Sequence, residues 1–283
     1  MNLLSGLRVV STALNLPGPA ACARLRDLGA SVTKVEPPSG DAFEAYCEAW
    51  YRRLHAGMTV ERLDLKSGPG REAFHQLLAG ADLLVTAQRP SALARLGLDP
   101  ASLAARHGRL CHVAITGHPA PDEELPGHDL TYLAIHGLLT PPAMPASLFA
   151  DMAGAERAVS TALALVISRD RTGHGVAALA PLEDGARMLA QPLLEGLTRH
   201  GALLGGGAPG YNIYSTSAGW IAVAALEPHF AERLARDLGL ETLTHEALGA
   251  RFATDTAVGW ESWARERDLP LVALRNPSNE SPC

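Results

Sequence analysis

Lysine is almost missing from this chain. Of its 24 basic residues only Lys34 and Lys66 are lysines, and all the others are arginine. A phosphate-bearing ligand would therefore meet guanidinium groups, whose planar fork suits phosphate oxygens. A basic excess is missing too. The formal net charge is −6, which excludes a general nucleic-acid binder. Cysteine is scarce: Cys22, Cys47, Cys111 and Cys283 make no C-x-x-C pair and no zinc spacing. They read as thiols of a reducing compartment, and no metal centre is expected. Long apolar runs are absent as well. The longest, A-V-S-T-A-L-A-L-V-I-S at 158–168, is too short to span a bilayer. The opening M-N-L-L-S-G-L-R-V-V turns polar too soon for a signal peptide. The expectation is a cytoplasmic protein with neither membrane nor nucleic acid as partner. Low-complexity tracts are missing, 47% of the 283 residues are apolar, and that supports two modest cores or one large α/β domain.

What is present alternates. L-R-V-V at 7–10 reads as a strand, a turn at Pro17-Gly18-Pro19 follows, and an Ala/Leu/Arg helix over 19–28 stops at Gly29. S-V-T-K-V-E at 31–36 reads as a strand, 67–80 as a helix, and 82–86 and 109–116 as strands. Strands alternating with helices predict a Rossmann-like parallel sheet with helices on its faces. From Asp151, read as an N-cap, a long helix should run to about Arg169 on a stripe of Ala155, Ala158, Val159, Ala162, Leu163 and Val166. A second helix should span 184–200. The run G-A-L-L-G-G-G-A-P-G at 201–210 carries four glycines within six residues and reads as a linker; it lacks the lysine and the strand-then-helix frame of a phosphate loop. Beyond it, a hairpin around Ala218-Gly219 and helices over 228–238 and 256–266 predict a smaller α+β domain. The expected division is a large α/β domain over 1–200, the linker 201–210, the small domain over 211–276 and a tail over 277–283.

Three segments carry groups suited to proton transfer: P-G-H-D-L-T-Y-L-A at 126–134, F-A-D-M-A-G at 149–154 and A-L-E-P-H-F at 225–230. They offer His128, Asp151 and Glu227. Each also has an ordinary structural reading. Asp151 can cap a helix, His128 with Asp129 can form a turn or cap before a helix over 130–138, and Glu227-Pro228 can open the next helix. In this order, however, they resemble the family III CoA-transferase superfamily, and within it the α-methylacyl-CoA racemase branch. The same resemblance runs through G-L-R-V-V, L-R-D-L-G-A-S-V-T-K-V-E-P-P-S-G-D, L-D-L-K-S at 63–67, R-P at 89–90, R-T-G-H-G after the long helix and G-G-A-P-G-Y-N-I-Y at the small domain. It covers nearly the whole chain.

The resemblance implies an enzyme whose substrate is an acyl-CoA thioester, with CoA entering as part of the substrate and no prosthetic group. Asp151 falls where the transferases keep a nucleophilic carboxylate, and where the racemases keep one member of a His/Asp acid–base pair with a glutamate near the histidine. His128 in P-G-H-D and Glu227 in A-L-E-P-H-F favour the racemase. Inverting a carbon α to a thioester needs a proton carrier on each face. An imidazole titrates in the required range, and a carboxyl in an apolar pocket is raised toward it. Glu227 would hold the imidazole, and amides at the start of the helix after Asp151 would receive the enolate oxygen. Arg89 and Tyr132 lie on segments that contact CoA in the family, and Arg52 and Arg53 near another. The alternatives are a CoA-transferase working through a covalent Asp151 intermediate, and an inactive paralogue kept as a binding protein.

The chain also departs from the family pattern. A-G-M-T-V-E-R replaces a basic stretch before L-D-L-K, G-V-A-A-L-A replaces G-Q-x-V-D, and Ala218-Gly219 stands for Asp-Gly. The resemblance implies a homodimer, interlocked in the family through a C-terminal return to the large domain. Here that return is expected to be shortened, since the sequence closes on R-N-P-S-N-E-S-P-C.

Overall fold

A computed structural model describes residues 2–275. The C-terminal return and the tail 277–283 lie outside the described residues. Contacts divide the chain into two compact units, one over residues 1–190 and one that starts at Gln191.

The first unit is an α/β sandwich. Its strands are β1 (Arg8–Ser11), β2 (Ser31–Glu36), β3 (Thr59–Arg62), β4 (Leu83–Thr86), β5 (Cys111–Thr116) and β6 (Ala177–Pro181). They form one parallel sheet in the order β3-β2-β1-β4-β5-β6. The helices are α1 (Pro17–Asp27), α2 (Ala42–Tyr46), α3 (Glu48–His55), α4 (Gly68–Ala79), α5 (Pro90–Arg95), α6 (Pro100–Arg106), α7 (Asp129–Ile135), α8 (Phe149–Thr172) and α9 (Leu182–Leu194). Successive strand residues point to opposite faces. Val9, Val32, Leu83, Val85 and Val113 therefore pack against α1 and α8, while Val10, Val35 and Leu84 pack against Phe74 and Leu78 of α4, Leu93 of α5 and Leu103 of α6. Cover on both faces leaves β4 and β5 buried end to end, with the polar pair Thr86 and His112 bonded to each other at 2.9 Å.

The stripe expected along α8 is present: Ala155, Ala158, Val159 and Ala162 are buried in the core. Its start differs from the sequence reading. The helix begins at Phe149 with Leu148 in the capping position, so Asp151 lies inside the first turn and is not the N-cap. The cap comes from another segment, as shown below. Strand β6 was not anticipated, because A-A-L-A-P lacks β-branched residues; it forms by pairing with the fully buried β5.

A buried ionic cluster fixes the connection after β2. The Lys34 ammonium lies 2.5 Å from Asp41 Oδ2, 3.1 Å from Glu36 Oε1 and 2.9 Å from His55 Nε2. Tyr51 donates its hydroxyl to Glu36 Oε1 at 2.7 Å. Glu36, Asp41 and His55 have the spacing of a cation site, and the lysine ammonium occupies its centre. Burial and the adjacent ammonium hold the His55 imidazole below its ordinary value. Asp41 Oδ1 then accepts the amides of Asn15 and Phe43, each at 3.0 Å. The first of these holds Asn15 at a positive φ of 63°, a conformation that asparagine tolerates better than most residues. The T-K-V-E-P-P-S-G-D motif thus shapes the loop that follows β1.

The second unit contains the antiparallel sheet β7 (Tyr211–Ser215), β8 (Trp220–Ala224) and β9 (Leu271–Ala273), with α10 (Pro228–Leu238), α11 (His245–Phe252) and α12 (Ala257–Arg265). Tyr214, Ile221, Val223, Leu234, Leu248, Phe252 and Trp260 make its core. The helix α10 has the expected bounds; α11 and β9 were not anticipated. The stretch 201–210, expected as a linker, lies within this second unit, where Leu203–Gly207 closes one wide π-type turn. Gly206, at φ 92°, makes the turn possible. The division instead falls within α9, between Ala190 and Gln191 and beside the internal Pro192. Among the described residues no helix is long and apolar enough to cross a membrane.

Candidate active site

The strand order reverses between β1 and β4. In parallel sheets of this kind the loops at the carboxyl ends of such strands diverge and leave a crevice. Here the crevice is a cavity of about 780 Å³. Asn15–Pro17 after β1, Gln88 and Arg89 after β4, and Thr116 and Gly117 at the end of β5 form one side of it. His128, Asp129, Tyr132, Asp151 and Leu182 also face it.

His128 sits in the N-cap position of α7. Thr131 Oγ1 accepts from the His128 amide at 3.0 Å and donates to its carbonyl at 2.8 Å, which fixes the backbone under the imidazole. Tyr132, one turn on, is almost fully buried. Two glycines make room for it: a Cβ at Gly117 would lie 2.4 Å from the phenolic oxygen, and one at Gly127 would lie 2.4 Å from Cε1. Burial, together with Asp151, Glu183 and Asp129, pushes the phenol up to about 12. It therefore keeps its proton and can donate a hydrogen bond.

One carboxylate lies near both ends of the segment from 118 to 136 and is hydrogen-bonded to the first. Glu183, in the first turn of α9, meets His118 Nδ1 at 2.6 Å with one oxygen and His136 Nε2 at 3.2 Å with the other. His118 packs edge-on against Tyr132.

Asp151 is partly buried in the cavity wall. Its carboxyl is raised from 3.8 to about 7, first by loss of solvent and then by the neighbouring charge of Asp129. Asp129 is itself buried. Its Oδ1 accepts the amides of Ala150 at 2.7 Å and Asp151 at 3.0 Å, so it caps α8 from the start of α7. The next amide, that of Met152, is bonded to the Leu148 carbonyl. The amides expected to receive an enolate oxygen at this helix start are therefore already engaged. The sequence offers Asp129 only as part of a turn or cap before the helix over 130–138; its bond to the start of α8, supplied across 21 residues, leaves no local pattern.

The other expected residues lie on other elements. Arg89 N-caps α5, faces the cavity and forms no ion pair among the described residues. Arg52 and Arg53 lie on the exposed side of α3, with Arg52 paired to Glu48, and neither is on the cavity wall. Glu227 belongs to the second unit, where it occupies the exposed N-cap position of α10.

Comparison with known proteins agrees with this architecture. The family model described as CoA-transferase family III matches residues 4–277. The human protein named alpha-methylacyl-CoA racemase is 32% identical over an alignment of 259 positions that covers 84% of this chain and 65% of the racemase. The BbsE subunit of succinyl-CoA:(R)-benzylsuccinate CoA-transferase from Thauera aromatica is 33% identical over 78% of this chain and 60% of its own. The chain thus spans a little under two thirds of the length of these relatives. Among solved structures, a CAIB/BAIF family protein from Brucella suis superposes with a TM-score of 0.81 at 25% identity, covering 98% of this chain and 85% of the other. A hypothetical protein, Rv3272, from Mycobacterium tuberculosis gives a TM-score of 0.83 at 25% identity over 99% and 86% of the two chains. With the model matched across both units, the chain belongs to CoA-transferase family III.

Proposed function

We propose that the protein is a racemase or epimerase of 2-methyl-branched acyl-CoA thioesters, with His128 and Asp151 exchanging the α-proton. The observation that carries this reading is the state of Asp151: a carboxyl in a cavity, raised to about 7. At neutral pH such a group is protonated about half the time, so it can both give and take a proton. The imidazole of His128, on the same cavity, supplies the second carrier. Removal of the α-proton by one group and return of a proton by the other inverts the carbon. The enolate formed between the two steps needs a donor, and Tyr132 offers a hydroxyl that stays protonated. Arg89 supplies positive charge for a CoA phosphate. Glu227, carried by the second unit, would hold the His128 imidazole and stabilise its cationic form. The same reading takes the working form to be a homodimer, which light scattering would show as twice the chain mass of 29.8 kDa.

The second reading is transfer of CoA between carboxylic acids through Asp151. Likeness to the BbsE subunit supports it. A carboxyl near 7 is still about half ionised at neutral pH and so does not count against a nucleophile; what favours the racemase is the second proton carrier, His128, on the same cavity. The test is direct. A 2-methylacyl-CoA is incubated with the protein in deuterated water, and α-proton exchange is followed by NMR. Exchange supports the racemase. Failure to exchange across several acyl chains, with hydroxylamine or borohydride modifying Asp151 in the presence of thioester, would replace it with the transferase.

A further inference from the structure

Asp129 is a buried carboxylate to which neither the family resemblance nor the proposed reaction gives a task. Its two oxygens live in different surroundings. Oδ1 holds the amides of Ala150 and Asp151 at 2.7 and 3.0 Å. Oδ2 is buried and has no hydrogen-bond partner among the described residues. A buried acceptor without a donor is uncommon and unfavourable, so native structures seldom retain one without a reason. A helix cap needs only one oxygen, and an asparagine would cap equally well. The second oxygen and the charge are surplus to that task.

We propose that Asp129 is the positioning residue for proton exchange at Asp151: one oxygen fixes the turn that carries Asp151, and the unpaired oxygen keeps a standing negative charge beside its carboxyl. The inference rests on the proposed reaction for its purpose, but its geometry is independent of it. The charge makes a second anion alongside unfavourable, and Asp151 therefore retains its proton into the neutral range. The other groups on these walls are few. Tyr132 on α7 is neutral. His128 caps the same helix, Glu123 lies in the preceding loop and Arg89 faces them after β4. Glu183 is bonded to His118 and lies 3.2 Å from His136 Nε2. Burial is the larger influence on Asp151, and Asp129 is the charged neighbour that reinforces it.

The test begins without substrate. In protein carrying ¹³C-labelled aspartate carboxyls, the Asp151 resonance should titrate near neutrality. In Asp129→Asn, which keeps an acceptor for the two amides, the Asp151 midpoint should fall by about one pH unit. The pH profile of α-proton exchange should move by the same amount, with KM little changed. Asp129→Ala should show the same shift together with a lower melting temperature. The proposal is overturned if Asp129→Asn lowers the melting temperature but leaves the Asp151 midpoint in place, since Asp129 is then only a cap. Should the variants fail to fold, the wild-type titration still decides: a neutral Asp129 beside an ionised Asp151 at pH 7 refutes it. Absence of exchange by the wild type would remove the racemase reading and leave the carboxyl titration to stand or fall by itself.

Discussion

Asp151→Asn should yield a protein that is inactive and more stable, with a gain that depends on pH. The folded state raises this carboxyl from 3.8 to about 7. A raised value means that the folded protein binds the proton more tightly than the unfolded chain. The stability linked to the group is therefore complete below 3.8 and is lost as pH rises through about 7. Each pH unit of displacement corresponds to about 1.4 kcal/mol, so the full loss approaches about 4 kcal/mol at alkaline pH. Asparagine is neutral at every pH and escapes it. Between pH 5 and pH 8 the wild type should lose about 3 kcal/mol relative to the variant. For a chain of this size that widens the gap in melting temperature by roughly 5–10 °C. Thermal melts of both proteins across that range, monitored by circular dichroism, measure it directly. A gap that stays constant from pH 5 to pH 8 would refute the reasoning, because Asp151 would then titrate alike in both states. Loss of α-proton exchange in the same variant would tie the unfavourable group to the chemistry.

Three further outcomes are expected. His128→Ala should slow exchange by about 10²- to 10⁴-fold for substrates whose proton faces the imidazole; NMR exchange with each enantiomer separately checks it, and an equal loss for both hands would argue against separate faces. Lys34→Met leaves Glu36 and Asp41 buried without their counter-ion and should destabilise the first unit by about 3–5 kcal/mol, read by thermal melting; an unchanged melt would mean the cluster is not needed. Gly117→Ala places a methyl where the Tyr132 hydroxyl now sits, 2.4 Å away, so the ring must shift; calorimetry should show weaker binding of a non-reactive acyl-CoA thioether, and unaltered affinity would show that Tyr132 does not contact the ligand.

Where the sequence was legible, the reason is local. The strand over 31–36 and the helix over 228–238 appear with the expected bounds, because β-branched alternation and a Pro-opened, Gly-closed helix are written within one element. What escaped was set by distant partners. β6 is built of Ala, Leu and Pro and exists through its register with β5. The start of α8 moved two residues upstream of Asp151 because its cap is Asp129. The candidate site divides in the same way. His128, Tyr132, Arg89 and Asp151 line one cavity, and the family motifs had singled out all four. Arg52 and Arg53, which the resemblance put near a CoA-contacting loop, are exposed on α3 and do not line this cavity.

The raised carboxyl at Asp151 runs against the ordinary effect of its position, and the size of that conflict is informative. An acid in the first turn of a helix faces the positive end of the helix dipole, which favours its anion by about 0.3–1 kcal/mol, and up to about 2 when partly buried. Asp151 is placed to receive this benefit on the 24-residue helix α8, yet its carboxyl moves upward. Desolvation alone opposes the dipole, but another change removes much of the dipole's effect. The amides of Ala150 and Asp151, which carry the positive charge of the helix end, are bonded to the Asp129 carboxylate. The helix end is thus neutralised by one acid before the other can use it. Two carboxyls at one helix start share a single supply of positive charge. One of them holds the amides, and the other, left facing the cavity, keeps its proton toward neutrality.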